Sequence, residues 1–101
     1  MIVEFSILPV GVGTSLSKHI AKALSIVDKS GLEYQFTSMG TILQGGYDDI
    51  METIKKCHYA VLKECERVVT TIKIDDRKEA EGEIGEKVRS VEAKLGRTLR
   101  K

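Results

Sequence analysis

The sequence predicts an α+β fold: a ferredoxin-like β-α-β-β-α-β arrangement with a four-stranded antiparallel sheet, two helices on one face and an extra C-terminal helix. Three observations predict it. Four segments alternate apolar and polar residues with the period of a strand. Three others repeat apolar residues at helical spacing. The order in which they follow one another is that of two right-handed strand–helix–strand crossovers closed into one sheet.

The first strand is read from Ile2 to Leu8, with Val3, Phe5 and Ile7 on one face and Glu4 and Ser6 on the other. Pro9 and Gly11-Val12-Gly13 end it. A helix follows from Thr14 or Ser15 to Lys29, with Leu16, Ile20, Ala23, Leu24 and Val27 as its apolar stripe and Gly31 beyond its end. Leu32–Ser38 and Thr41–Gly46 form a hairpin around Met39-Gly40. That loop sets Phe36 opposite Leu43 and Gln35 opposite Gln44. Leu32, Tyr34, Phe36 and Leu43 then share the buried face.

A second helix opens at Asp48 or Asp49 and runs to about Glu64, burying Ile50, Met51, Ile54, Cys57, Val61, Leu62 and Cys65. Arg67–Asp75 is the fourth strand, and the polar run from Asp75 to Glu83 is a loop. The last helix, Ile84–Leu95, carries Ile84, Val88, Val91 and Leu95 at helical spacing and stops at Gly96.

Both main helices cover one sheet face in this fold. The open face presents Glu4, Ser6, Leu8, Gln35, Thr37, Ile42, Gln44, Thr71 and Lys73. Hydroxyls and amides mixed with apolar groups suit a wet or ligand-filled subunit interface. An ordinary solvated sheet face is the alternative.

The chain has 101 residues, 42% of them hydrophobic, which fits a single domain over 1–101. Sixteen basic against 15 acidic residues argue against a nucleic-acid partner. No apolar stretch spans a bilayer, and the start lacks a signal-peptide pattern, so a cytoplasmic protein without a membrane partner is expected. Cys57 and Cys65 lie about 12 Å apart along one helix, too far for a disulfide. They read as core residues, with no metal site. His19 and His58, on separate helices, read as surface or edge residues. Asp75-Asp76-Arg77 reads as a solvated loop or an interface salt bridge. The segment Gly13-Thr14-Ser15, between strand and helix, is a tight turn with a cap or an anion site, since no acid follows in the first helical turn.

Three segments carry a family resemblance. They are Leu8-Pro9-x-Gly11-x-Gly13-Thr14-Ser15, then Tyr34-x-x-x-x-Met39-Gly40-Thr41-x-x-Gln44-Gly45, then Val68–Arg77 followed by Ser90-Val91-Glu92-x-Lys94. The chain resembles the small thiamine-binding-protein-like family of archaea and bacteria. The resemblance implies a ferredoxin-like homodimer or homotetramer joined through its sheets. It also implies a ligand of the thiamine or hydroxymethylpyrimidine type near the sheet and subunit interface. Ser6, Met39, Thr41, Gln44 and Tyr47 are the ligand-binding residues it points to, with Gln44 standing where the family usually has Glu. No cofactor and no catalysis are expected. An acylphosphatase-type hydrolase on this fold positions water with Asn, and the chain has none.

Overall fold

The computed structural model describes residues 1–14, 16–78 and 84–100. Its elements run β1 (Ile2–Val10), α1 (Leu16–Lys29), β2 (Glu33–Thr37), β3 (Gly40–Gln44), α2 (Tyr47–Leu62), β4 (Arg67–Asp75) and α3 (Glu86–Leu95). The four strands form one antiparallel sheet in the order β2-β3-β1-β4. This is the ferredoxin-like order that the sequence predicts, with the two crossover helices on one face.

The core lies between that face and the helices. Val3 and Phe5 of β1, Leu43 of β3, Ala23 and Val27 of α1, and Ile50, Ile54, Cys57 and Val61 of α2 are all buried. Burial of these side chains from two layers supplies most of the favourable term in folding. Met1 joins them, because its amine donates to the Gly45 carbonyl at 2.9 Å and its own carbonyl accepts from the Gly45 N–H at 3.1 Å.

The hairpin differs from its expected register. Phe36 pairs with Thr41 and Gln35 with Ile42, so the loop is Ser38-Met39 rather than Met39-Gly40. Neither Ser38 nor Met39 has a positive φ, so the loop is not a primed turn. The Thr37 hydroxyl holds it instead. It accepts from the Met39 and Gly40 N–H groups at 3.2 and 3.1 Å and donates to the Gly40 carbonyl at 2.8 Å. Gly40 is thereby drawn into the strand, where a Cβ would lie 2.9 Å from the Phe5 carbonyl oxygen. The slip is two residues, which leaves every side chain on its expected face. Thr37→Val should lower stability by about 1–2 kcal/mol, read as a shift of the urea midpoint, because several local hydrogen bonds are lost together.

Other boundaries shift less. α2 starts at Tyr47, so Asp48 and Asp49 sit in its first turn and face the positive helix end rather than capping it. α3 starts at Glu86 and ends at Gly96, whose φ of 73° is the left-handed stop expected there. No residue of α3 is buried, and Val91 and Leu95 are exposed. Tyr34 and Phe36 share the helix side of the sheet but are exposed as well, against expectation. α1 packs mainly on α2 and β1, and reaches β2 through the hydrogen bond that the Tyr34 hydroxyl donates to the Asp28 carboxylate at 2.9 Å.

Cys57 and Cys65 are free thiols. Cys57 donates to the Ala23 carbonyl at 3.4 Å, and burial pushes its thiol up from 9.0 to about 11. The unfolded chain therefore loses this proton at lower pH than the native one. The stability it contributes is complete below pH 9 and is lost as pH rises through about 11. About 2–3 kcal/mol is at stake. Unfolding free energies of wild type and Cys57→Ala, compared between pH 8 and 11, should show this decline in wild type alone.

Candidate functional site

The site follows from unequal lengths. β1 pairs with β4 along all of Ile2–Val10, but with β3 only from Ile2 to Phe5. Past Phe5 one edge of β1 has no strand beside it, because β3 has ended in the hairpin. On the helix side, α1 leaves the hairpin uncovered. The gap is a cavity of about 310 Å³ bounded by β1, the first half of α1 and the hairpin loop. That size is at the lower end of small-molecule sites.

Its wall is mainly apolar. Phe5 and Ile7 come from β1, Ile20 and Leu24 from α1, and Phe36 and Met39 from the hairpin. Phe36 and Met39 are the most accessible of these, at 54% and 85% exposure. The stripe read on α1 thus divides. Ala23 and Val27 enter the core, whereas Ile20 and Leu24 line the cavity.

His19 and Thr41 are the buried polar side chains of this wall, which Ser6, Thr37 and Ser38 also line. Thr41 is 4% exposed, and its hydroxyl has no hydrogen-bond partner among the described residues. His19 is 6% exposed, which corrects its reading as a surface residue. The spacing 19, 23, 27 places it on one line with Ala23 and Val27, a signal present in the sequence. Its Nδ1 lies 3.3 Å from Oε2 of Glu64, too poorly aligned for a directed hydrogen bond. The other Glu64 oxygen accepts from Lys22 Nζ at 2.6 Å. That hydrogen bond holds the Glu64 carboxyl below the usual carboxylate range against partial desolvation, with the charges of Lys22, of His19 when its ring is protonated, and of Lys18 adding attraction.

The expected ligand residues fall into two groups. Ser6, Met39 and Thr41 line the cavity. Gln44 and Tyr47 do not. Gln44 lies at the far end of β3, opposite Ile2 and Glu33, and its Oε1 accepts from the Ile84 N–H at 2.9 Å. It borders a separate shallow depression with Glu33, Tyr34 and Ile84. Tyr47 is exposed at the start of α2. Thr41 and Gln44 point to opposite faces, as their parity requires. Gly13 and Thr14, of the anion reading, do not line the cavity, and Ser15 lies outside the described residues.

The expected helix edge position holds for His58, whose Nδ1 is 2.6 Å from the Thr70 hydroxyl. Arg77 pairs with Glu86 at 3.3 Å. Among the described residues no group of three His, Cys, Asp or Glu side chains is placed to hold a metal ion, and no helix is long and apolar enough to cross a membrane.

Comparison with known proteins gives a consistent picture. A family model described as thiamine-binding protein matches residues 3–92. UPF0045 protein MJ1052 of Methanocaldococcus jannaschii is 38% identical over 91 residues, which cover 90% of this chain and 91% of the relative. A UPF0045 protein of Methanothermobacter thermautotrophicus is 40% identical over 95 residues, covering 91% and 96%. The crystal structure of the M. jannaschii protein superposes with a TM-score of 0.83 at 39% identity, over 89% of this chain and 93% of that one. A Bacillus cereus domain of unknown function superposes with a TM-score of 0.79 at 31% identity, over 86% and 85%.

Proposed function

The chain belongs to the thiamine-binding protein family, and from that premise we propose that it is a non-enzymatic, cytoplasmic binder of a thiamine-type pyrimidine. The observation that carries this reading is the cavity between α1 and the hairpin, where the buried Thr41 and His19 interrupt a mainly apolar wall. A flat heteroaromatic ring needs apolar contact on its faces and a few placed hydrogen-bond partners at its edge. Phe36, Ile20 and Leu24 supply the first, Thr41 and His19 the second. Unpartnered polar groups in an apolar wall cost free energy until a ligand pairs with them, which favours ligands with a matching polar edge.

The proposed ligand position is on the helix side of the sheet, whereas the family resemblance implies a ligand near the sheet and subunit interface. Calorimetric titration with thiamine and with 4-amino-5-hydroxymethyl-2-methylpyrimidine tests the reading. Saturable heat with at least one is expected. Absence of heat with both, on folded protein, contradicts it.

The alternative is a regulatory or structural homo-oligomer without a small ligand. The uncovered side of α3 and the exposed Leu8 and Val69 on the open face favour self-association. A homodimer or homotetramer through that face is compatible with either reading. A cavity that stays empty in a folded oligomer supports the alternative.

A further inference from the structure

We propose that His19 is the specificity-determining residue of this cavity, acting as a neutral hydrogen-bond acceptor for an amino group on the ligand's ring, with its proton kept on Nδ1 by Glu64. The inference rests on the cavity being a ligand site and adds which edge of the ligand is read, and by which atom.

It starts from two nitrogens in different surroundings. Nδ1 is shielded from solvent, has no directed hydrogen bond and lies 3.3 Å from Oε2 of Glu64. Ionised Glu64 only accepts. A bare Nδ1 lone pair beside it sets negative charge against negative charge, so the proton of the neutral ring belongs on Nδ1. The carboxylate cannot swing away freely, because Lys22 binds its second oxygen at 2.6 Å. A neutral imidazole protonated on Nδ1 presents a lone pair on Nε2.

Nε2 is not among the shielded unpaired atoms, and no group of the described residues bonds it. In a side chain only 6% exposed that lines the cavity, that access comes through the cavity. The cavity therefore offers one fixed acceptor and the hydroxyl of the buried Thr41, able to donate or accept; of the other hydroxyl residues on the lining, Thr37 is engaged in the hairpin, and Ser6 and Ser38 are less deeply buried. His19 and Thr41 together complement a ring that carries a donor group beside an acceptor nitrogen, the pattern of an amino-substituted heteroaromatic. A ring with a carbonyl in place of the amine meets lone pair with lone pair at His19. Among the described residues no carboxylate lines the cavity, so they supply no counter-charge there for a cationic ring.

The test compares two ligands on three proteins by calorimetry. The ligands are 4-amino-5-hydroxymethyl-2-methylpyrimidine and its analogue lacking the amine. Wild type is expected to prefer the amino compound at least tenfold. In His19→Phe, which keeps a ring of similar shape, the preference should fall to about twofold or less. In Glu64→Ala it should weaken while folding, read by circular dichroism, is retained. Nitrogen-15 spectra of histidine provide a readout that a merely structural role does not move. Ligand-free wild type should show the proton on Nδ1 of His19, and Glu64→Ala should shift it towards Nε2.

Equal affinity of wild type for both ligands overturns the inference while leaving the binding function intact, as does an unchanged preference in His19→Phe. No binding of either ligand by wild type overturns both. If His19→Phe does not fold, the spectra on wild type decide, and a proton on Nε2 rejects the assignment.

Discussion

Leu43→Ala should lower the unfolding free energy by about 2–5 kcal/mol, the range for removing a buried leucine side chain whose space cannot fully collapse. Leu43 is completely buried and sits on β3, between β1 and β2. It pairs with Val3 on one side and Tyr34 on the other. Its neighbours in the core, Ile50 and Val27, belong to different helices that are themselves packed together. Neither helix can close the space without leaving the other. In a chain of 101 residues this loss is a large share of total stability. Urea unfolding followed by circular dichroism measures it. A shift in midpoint at constant slope is expected, whereas a loss below 1 kcal/mol contradicts the assigned core.

Leu24→Trp should abolish ligand binding and leave the fold in place. Leu24 is half-buried on α1 and points away from the line of Ala23 and Val27 into the cavity. An indole there occupies much of a space of about 310 Å³. The added atoms have room, so the strain that accompanies overpacking of a dense core is largely avoided. Affinity for a pyrimidine ligand should fall at least about 100-fold, which corresponds to about 2.7 kcal/mol. Thermal unfolding of the variant should stay within about 5 °C of wild type, as befits a change of about 1 kcal/mol or less. Unaltered affinity in the folded variant places the ligand elsewhere.

The order of elements and the face of each strand side chain were legible because strand parity survives small errors of register. Placing Phe36 against Leu43 instead of Thr41 is an error of this kind. It arose because Met39-Gly40 resembles a loop on its own. The hydroxyl of Thr37 that sets the turn one residue earlier is a contact no spacing rule contains. The apolar stripe of α1 was legible as apolar but not as divided. Leu24 and Ala23 are adjacent, and only the packing of α1 against β1 and α2 decides that Ala23 is buried in the core while Leu24 stays half-buried on the cavity wall.

His19 points two ways in the sequence for a related reason. Its type suggests a surface position, although the four-residue steps to Ala23 and Val27 place it on the buried line. Glu64 becomes its neighbour only through the packing of α1 on α2, a contact between residues 45 positions apart in the chain. Of the residues singled out by resemblance, Ser6, Met39 and Thr41 converge because β1 outruns β3. Gln44 and Tyr47 belong to the other end of β3, and sequence proximity to Thr41 concealed that distance along the sheet.

A crystal structure of the protein grown with 4-amino-5-hydroxymethyl-2-methylpyrimidine tests the central claim most directly. The expected result is ring density between Phe36, Ile20 and Leu24, with its amino edge at His19 Nε2 and the Thr41 hydroxyl within hydrogen-bond distance. Density on the open sheet face beside Gln44, with the cavity behind the hairpin empty, contradicts it.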